Sequence, residues 1–105
     1  MSDEVLRGHV DLLLLAALGS GPAHGYAIVE AVRVRSGGAF SLSEGSVYPA
    51  LYRLERDGLV VSAWDAGRGE RRRRVYRLTS KGRDELERRR TAWRGYVRAM
   101  EAALA

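Results

Sequence analysis

The chain has 105 residues, a length that fits one small domain with a limited hydrophobic core. Eighteen Lys and Arg residues oppose thirteen Asp and Glu residues, so the formal net charge is +5 and the pI is about 10.2. This excess favours a polyanionic partner such as nucleic acid over an acidic small substrate. The absence of cysteine excludes disulfides and thiolate metal sites, and the apolar runs are too short to span a membrane. We therefore expect a cytoplasmic protein.

The positive charge is concentrated in one part of the chain. Residues 1–30 contain four acids and one base, whereas residues 59–77 contain six arginines and two acids. A polyanion would therefore meet the protein mainly at the surface that residues 59–77 form.

Two amphipathic helices are predicted in the N-terminal part. Apolar residues recur at helical spacing over residues 5–18, and the Gly/Ser/Pro-rich segment 19–22 ends this helix. The same spacing recurs over residues 24–35, before a pair of glycines that ends the second helix.

A third helix is predicted after Ser43, which is a favourable N-cap residue. Val47, Leu51 and Leu54 share one face and are expected to pack against the first two helices. Pro49 lacks the backbone N–H that a helix interior uses, so we expect a bend or a late start of the helix there. The opposite face carries Ser46, Pro49, Arg53 and Arg56, with Tyr48 and Tyr52 beside it.

The polar side chains of this third helix have different expected roles. Ser46 and Arg53 are predicted to be exposed enough to reach the edges of DNA bases. Tyr48 and Tyr52 lie one helical turn apart, and two interpretations remain open for them. They can be half-buried at the rim of the core, or they can place their hydroxyl groups on DNA phosphates.

A β-hairpin rich in arginine follows this helix. Residues 59–64 and 72–78 contain β-branched and aromatic residues, and Gly67-Arg68-Gly69 links them. Alone, the run Arg71 to Arg74 would more often be a solvated surface, but a basic hairpin directly after a capped basic helix is typical of a DNA-binding wing. Because neighbouring residues of a strand face opposite sides, these arginines cannot all contact one row of phosphates.

A last helix is predicted from about Ser80 to near the C-terminus, with apolar residues recurring every seven positions in two series. A helix of this length cannot pack entirely on so small a core, so we expect its seam to form a homodimer. Trp93 is expected in the dimer interface, although it could instead stack on a flat aromatic effector. The predicted dimerisation residues are Leu86, Arg90, Trp93, Val97, Met100 and Leu104.

Catalytic motifs are missing from the sequence. It contains no nucleophile elbow, no HExxH and no phosphate-cradling glycine loop. His9 and His24 are far apart, without acids or cysteines at metal-ligand spacing, so both are expected to be structural. We therefore expect no enzyme, no metal and no other cofactor.

Several segments match one known sequence pattern: Leu6-Arg7-Gly8, His24-Gly25-Tyr26, Gly45 to Leu51, and Arg73 to Thr79. Together they resemble the PadR family of bacterial transcriptional regulators over nearly the whole chain, in its subfamily with one short C-terminal helix. The MarR family shares the Arg-Leu-Glu-x-x-Gly-Leu-Val phrase, but the Tyr48-Pro49 pair is more similar to PadR.

The resemblance implies a mainly α fold with a small β-hairpin, in which residues 1–79 form a winged helix-turn-helix domain and residues 80–105 a dimerisation helix. It also implies a homodimer that binds a palindromic operator in double-stranded DNA, usually as a repressor. In some such proteins an aromatic effector at the dimer interface, here beside Trp93, releases the DNA. A protein-interaction adaptor and an RNA-binding accessory protein remain alternatives. The residues predicted to contact DNA are Ser46, Tyr48, Tyr52, Arg53, Arg56, Arg68, Arg71, Arg72 and Arg73.

Overall fold

The computed structural model describes Leu6, residues 8–65 and residues 72–105. These residues form four helices and one three-stranded antiparallel sheet, which confirms the predicted α+β fold class. The predicted turn at 67–69 and two predicted DNA contacts, Arg68 and Arg71, lie outside the described residues. The elements are α1 (Val10–Leu18), β1 (Ala23–His24), α2 (Gly25–Arg35), α3 (Glu44–Arg56), β2 (Val60–Asp65), β3 (Arg73–Leu78) and α4 (Ser80–Leu104).

The first helix starts later than the sequence pattern predicts. Leu6 is helical and buried, but the chain then turns at Gly8, whose φ of +86° lies in the left-handed region that favours glycine. The predicted helix over residues 5–18 is therefore broken, and α1 begins only at Val10. Although Leu6 lies before the turn, it packs into the same core as the buried apolar residues of α1.

His24 caps α2 and also belongs to a short strand. Its side chain accepts a hydrogen bond from the Ala27 backbone N–H at 3.2 Å, which gives it the structural role expected from the sequence. With Ala23 it forms β1, which pairs with β3 at Tyr76 and Val75. This strand was not predicted from the sequence, because two residues are too few to show an alternating pattern. Its pairing places the start of α2 beside the hairpin.

α3 runs from Glu44 to Arg56 without interruption, so the late start expected at Pro49 is wrong. The missing N–H of Pro49 removes one backbone hydrogen bond, but the buried apolar face stabilises the helix on both sides of it. Ser43 occupies the N-cap position with extended backbone, as predicted.

A glycine turn connects α3 to the hairpin. Gly58 has a φ of +77°, and the Leu59 N–H donates to the Leu54 carbonyl at 2.9 Å while the Gly58 N–H donates to Glu55 at 3.0 Å. These two bonds form a Schellman motif, which satisfies the last carbonyls of the helix. The chain therefore leaves α3 in a fixed direction and enters β2 at once.

β2 and β3 form the predicted hairpin, and β3 is the central strand of the order β1-β3-β2. Their register runs from Val60 opposite Leu78 to Asp65 opposite Arg73. We call β2, β3 and the residues between them the wing. The inner face of the sheet contributes Val60, Tyr76 and Leu78 to the core, while Trp64 and Asp65 of β2 and Arg73 and Arg74 of β3 are exposed. The largest fully buried side chains are Leu14, Leu15, Leu18, Ile28, Val47, Leu51, Leu54 and Val60.

α4 is anchored in the core at its start. The Thr79 hydroxyl accepts a hydrogen bond from the Gly82 N–H at 3.0 Å, and a Cβ at Gly82 would overlap the Leu59 carbonyl oxygen. Along α4, which is described over its whole length, only Gly82 and Leu86 are buried. Leu86, predicted as a dimerisation residue, is only 4% exposed and packs in the core of its own chain. The remaining four to five turns project from the domain.

Candidate nucleic-acid interface

The outward face of α3 centres on Pro49, Tyr52 and Arg56. Successive helix residues are rotated by about 100°, which places these three opposite the buried Val47 and Leu54. All three are exposed, and the Tyr52 side chain is 71% accessible to solvent. The remaining predicted DNA contacts of this helix lie on its two edges.

The edge of α3 that faces α1 carries Ser46 and Arg53. The Ser46 hydroxyl accepts a hydrogen bond from Ser43 at 3.1 Å and is half-buried. The Arg53 guanidinium lies 3.1 Å from the Asp11 carboxylate of α1, and both side chains remain partly exposed. An exposed ion pair of this kind contributes little to stability, so Arg53 can exchange Asp11 for another anion at low cost. Its sequence separation of 42 residues explains why the pattern alone did not show this pair.

Arg56 lies at the end of α3, where its Nε atom is 3.1 Å from Asp57. This hydrogen bond, together with the charge of the carboxylate, raises the pKa of Arg56 above its already high ordinary value. Its side chain is mostly exposed and is free to turn outward.

The opposite edge of α3 carries Tyr48, which lies across the start of α2. A Cβ at Gly25 would be 2.7 Å from the Tyr48 hydroxyl oxygen and 3.0 Å from its ring carbons. Only glycine therefore allows the tyrosine to approach the α2 backbone this closely. About half of Tyr48 stays exposed, so both interpretations of this residue, rim packing and an available hydroxyl, fit its position.

The described arginines of the wing have separate surroundings. Arg72 is exposed at the entrance to β3. The Nη1 atom of Arg73 lies 2.9 Å from Nε2 of His24. Arg74 lies on the face of the strand that Tyr76 also occupies, as alternation predicts, and turns towards α3.

Arg74 belongs to a polar network between the wing and α3, which we call the Glu55 network: Glu55, Ser62, Trp64 and Arg74. The Ser62 hydroxyl donates to Glu55 at 2.7 Å and accepts from Arg74 Nε at 2.8 Å. The Arg74 guanidinium also lies 5.5 Å from the centre of the Trp64 ring, within cation–π distance. This network was not predicted from the sequence, because the residues around Glu55 do not indicate which distant side chains it contacts.

A groove of about 670 Å³ lies between the start of α2, the start of α3 and the wing. Three arginines and one glutamate line it, so its charge is positive. Burial raises the pKa of Tyr76, which keeps this lining hydroxyl neutral. The lining residues are His24, Gly25, Tyr26, Glu44, Tyr48, Trp64, Arg72, Arg73, Arg74 and Tyr76.

The projecting part of α4 carries an exposed apolar seam. Trp93, Met100 and Leu104 are 41%, 43% and 77% exposed, and Val97 is half-buried between them. Arg90, on the same face, is bound to Glu87 at 2.7 Å. Of the six predicted dimerisation residues, five therefore lie on this seam, while Leu86 lies in the core.

Trp93 is also the centre of an aromatic cluster. Its ring stacks on Tyr96 with centroids 5.6 Å apart, and His9 contacts it edge-on at 5.2 Å. His9 therefore has the structural role expected for it, since it joins the segment before α1 to α4. Tyr96 was missed in the sequence because it lies one position beside the heptad series.

The described residues offer neither a metal site nor a membrane-spanning helix. They bring together no group of three acidic, histidine or cysteine side chains that could hold a metal ion. None of the described helices combines the length and the apolar character needed to cross a membrane.

Two helices at the N-terminal side of a three-stranded sheet, a third helix with an exposed outer face and an arginine-bearing hairpin define a winged helix-turn-helix protein. The model of the transcriptional regulator PadR-like family matches residues 14–88. The chain belongs to this family. It is therefore a transcription regulator and not an enzyme.

Two relatives show the extent of the similarity. The chain is 46% identical over 77 residues to an uncharacterized protein of transposon TN4556 from Streptomyces fradiae, a match that covers 73% of this chain but 21% of that protein. It is 39% identical over 83 residues to the transcriptional regulator Rv3488 of Mycobacterium tuberculosis, covering 79% of this chain and 74% of the relative.

Solved structures share the fold. A transcriptional regulator from Clostridium thermocellum has a TM-score of 0.85 at 28% identity, over 97% of this chain and 96% of the other. Bacillus subtilis PadR, in a complex with operator DNA, has a TM-score of 0.68 at 24% identity, over 76% of this chain and 45% of that protein. At this level of identity, the similarity to Bacillus subtilis PadR shows a common fold.

Proposed function

We propose that this protein is a homodimeric repressor that binds double-stranded DNA sequence-specifically. In this proposal α3 enters the major groove and the wing contacts the phosphate backbone beside it. The single observation that carries the proposal is that Arg72 and Arg73 of the wing line one open, positively charged groove together with Glu44 and Tyr48 from the first turns of α3. The complex of Bacillus subtilis PadR with operator DNA supports the same use of the fold.

The exposed seam of α4 supports the homodimer. An isolated helix of 25 residues would leave Trp93, Met100 and Leu104 in water, and a second copy of the same seam would bury them. A two-fold axis through this seam would present two copies of α3 to one side of a duplex. Two reading helices about 34 Å apart correspond to a palindromic operator with half-sites one helical turn apart.

A flat aromatic compound is the effector that the cluster around Trp93 would accept. Trp93 already stacks on Tyr96 and remains 41% exposed, so a further ring can stack on it at the dimer interface. Such a compound would release DNA only if it binds better to the dimer geometry that does not fit the operator. Quenching of the Trp93 fluorescence by phenolic compounds in Trp64→Phe protein, without quenching of the Trp64 fluorescence in Trp93→Leu protein, tests this assignment.

A gel-shift titration of the full chain tests the DNA-binding function itself. The three probes are duplex DNA from upstream of the protein's own gene, an unrelated duplex of the same length, and RNA of the upstream sequence. We expect the tightest binding to the upstream duplex. Preference for the RNA would favour the RNA-binding alternative, and absence of binding to all three would favour the protein-interaction adaptor.

A further inference from the structure

The contacts of His24 cannot both be satisfied by one form of its neutral ring. Nδ1 accepts the hydrogen bond from the Ala27 N–H that caps α2, while Nε2 lies 2.9 Å from Nη1 of Arg73. A neutral imidazole has one accepting and one donating nitrogen. When Nδ1 accepts, Nε2 carries the hydrogen, and a guanidinium nitrogen can only donate. The Arg73–His24 pair then consists of two donors that face each other.

In the other tautomer of the neutral ring, Nδ1 carries the hydrogen and Nε2 is the acceptor. Nε2 would accept from Arg73, but Nδ1–H would then point at the Ala27 N–H, and α2 would lose its cap. The cap satisfies a backbone N–H at the start of α2 that has no partner within the helix, whereas the exposed guanidinium of Arg73 can donate to water instead. The tautomer that caps the helix is therefore the stable one. It leaves an arginine N–H and an imidazole N–H directed at the same point.

That point lies in the groove between α2, α3 and the wing, because both His24 and Arg73 line it. An oxygen with two free lone pairs can accept from both groups at once. A phosphate oxygen fits this requirement, and Arg73 adds the positive charge that a phosphate needs. Glu44 lines the same groove, but Arg72 and Arg74 keep the net charge of its lining positive.

We propose that His24 and Arg73 together bind one backbone phosphate of duplex DNA, His24 through Nε2–H and Arg73 through its guanidinium. This site rests on the DNA-binding function proposed above and assigns His24 a second role beside its cap. The same ring thereby fixes the start of α2 with one nitrogen and contacts the phosphate with the other. A bound phosphate oxygen would convert the donor–donor contact into two hydrogen bonds.

Two replacements of His24 separate its two roles. In His24→Asn the side-chain oxygen can still cap α2, because asparagine is among the best N-cap residues, but Nε2–H is lost. In His24→Gln the amide N–H can reach the former position of Nε2, but the cap is lost. Binding of the full chain to a fluorescent duplex, followed by anisotropy at several salt concentrations, is measured together with the unfolding midpoint.

We expect His24→Asn to keep its unfolding midpoint and to lose roughly threefold to tenfold in affinity for any duplex. We expect His24→Gln to unfold more easily but to bind more tightly than His24→Asn. Arg73→Ala should lower the slope of log affinity against log salt by roughly 0.9, whereas Arg77→Ala, which removes an exposed arginine outside the groove, should leave it unchanged.

The double variant His24→Asn/Arg73→Ala tests whether the two residues share one phosphate. The His24→Asn change should have a smaller effect on affinity in the Arg73→Ala background than in the wild type. If the two substitutions lower the affinity for DNA independently, or if His24→Asn binds DNA as tightly as the wild type, the two residues do not share one phosphate. If the wild-type chain binds no duplex at all, the proposed DNA-binding function fails instead, so the two failures are distinguishable.

Discussion

Single residues of α3 fall into two groups with different freedom to reach DNA. Pro49, Tyr52 and Arg56 lie at the centre of the exposed face, whereas Arg53 lies at its edge and is paired with Asp11. Both arginines carry the donors for a bidentate contact with guanine. Arg56 lies nearer the centre of the exposed face than Arg53, and each has one neighbouring carboxylate at 3.1 Å, Asp57 for Arg56 and Asp11 for Arg53.

Replacing each arginine with alanine therefore tests which one reads bases. We expect Arg56→Ala to weaken binding to the upstream duplex by about 1 to 3 kcal/mol and binding to an unrelated duplex much less. Arg53→Ala should also weaken specific binding, but by a smaller amount, because Arg53 lies at the edge of the exposed face of α3 and Arg56 lies near its centre. Anisotropy titrations on both duplexes measure the differences. Equal losses on the two duplexes for both variants would contradict base reading and would indicate phosphate contacts.

The sequence predicted which residues of the candidate site are exposed better than it predicted their partners. The exposed face of α3 follows from its spacing, since a helix with a buried stripe must expose the opposite side. The contacts of Arg53 with Asp11, of Tyr48 with Gly25, and of Arg73 with His24 depend on how distant elements pack. Local patterns carry no information about such distances.

Among the elements, the wing is held to α3 by the Glu55 network. Ser62 is its central member, because its hydroxyl bonds to both Glu55 and Arg74. Backbone pairing joins β2 to β3, but these side chains link the hairpin to the helix beside it. The network therefore fixes the angle between the two parts of the proposed DNA-binding surface.

Ser62→Ala should loosen this connection. Loss of the two hydrogen bonds is expected to lower the free energy of unfolding by about 1 to 2 kcal/mol and to weaken binding to all duplexes alike. Urea denaturation and anisotropy titrations measure the two effects, with the exposed Ser41→Ala as the control. A variant that loses stability but keeps its full DNA affinity would show that the wing does not depend on this network.

Two glycines of α4 should respond oppositely to alanine. At Gly82 a Cβ would overlap the Leu59 carbonyl, so Gly82→Ala should lower the free energy of unfolding by about 1 to 3 kcal/mol or more. At Gly95 no atom lies within 4 Å of the added Cβ, so Gly95→Ala should raise it by about 0.5 to 1 kcal/mol. Denaturation at one fixed protein concentration gives both values. If both variants change the free energy of unfolding in the same direction and by similar amounts, α4 does not approach the turn after α3 as closely as the structure shows.

The sequence predicted the type and order of the main elements because each has a strong local pattern. Helical periodicity identified α1 to α4, and β-branched residues around a glycine turn identified the hairpin. The sequence pattern did not predict features that depend on a single backbone angle or on only one or two residues. The break at Gly8 needs a positive φ, β1 is too short for an alternating pattern, and Pro49 is tolerated because neighbouring residues of α3 are buried.

The whole molecule has a small domain from which one helix projects. Its longest dimension is 54 Å against 28 and 20 Å in the other directions, and α4 alone is roughly 37 Å long. A single copy leaves the seam of Trp93, Val97, Met100 and Leu104 largely in water. Association through this seam is the simplest way to bury it.

A charge on the seam should prevent this association. We expect Met100→Lys to sediment as a monomer at micromolar concentration and to bind the upstream duplex much more weakly, because one wing and one α3 then act alone. Ala99→Lys adds the same charge on the opposite face of α4 and should remain a dimer. A Met100→Lys protein that stays dimeric would place the interface elsewhere.

In the proposed complex, two copies of this chain present two α3 helices to one duplex. Hydroxyl-radical footprinting of the upstream region with the wild-type protein shows whether they do. We expect two protected segments, related by a palindrome, with centres about 10 to 10.5 base pairs apart or a multiple of that distance. A single protected segment, or protection that does not depend on sequence, would contradict it.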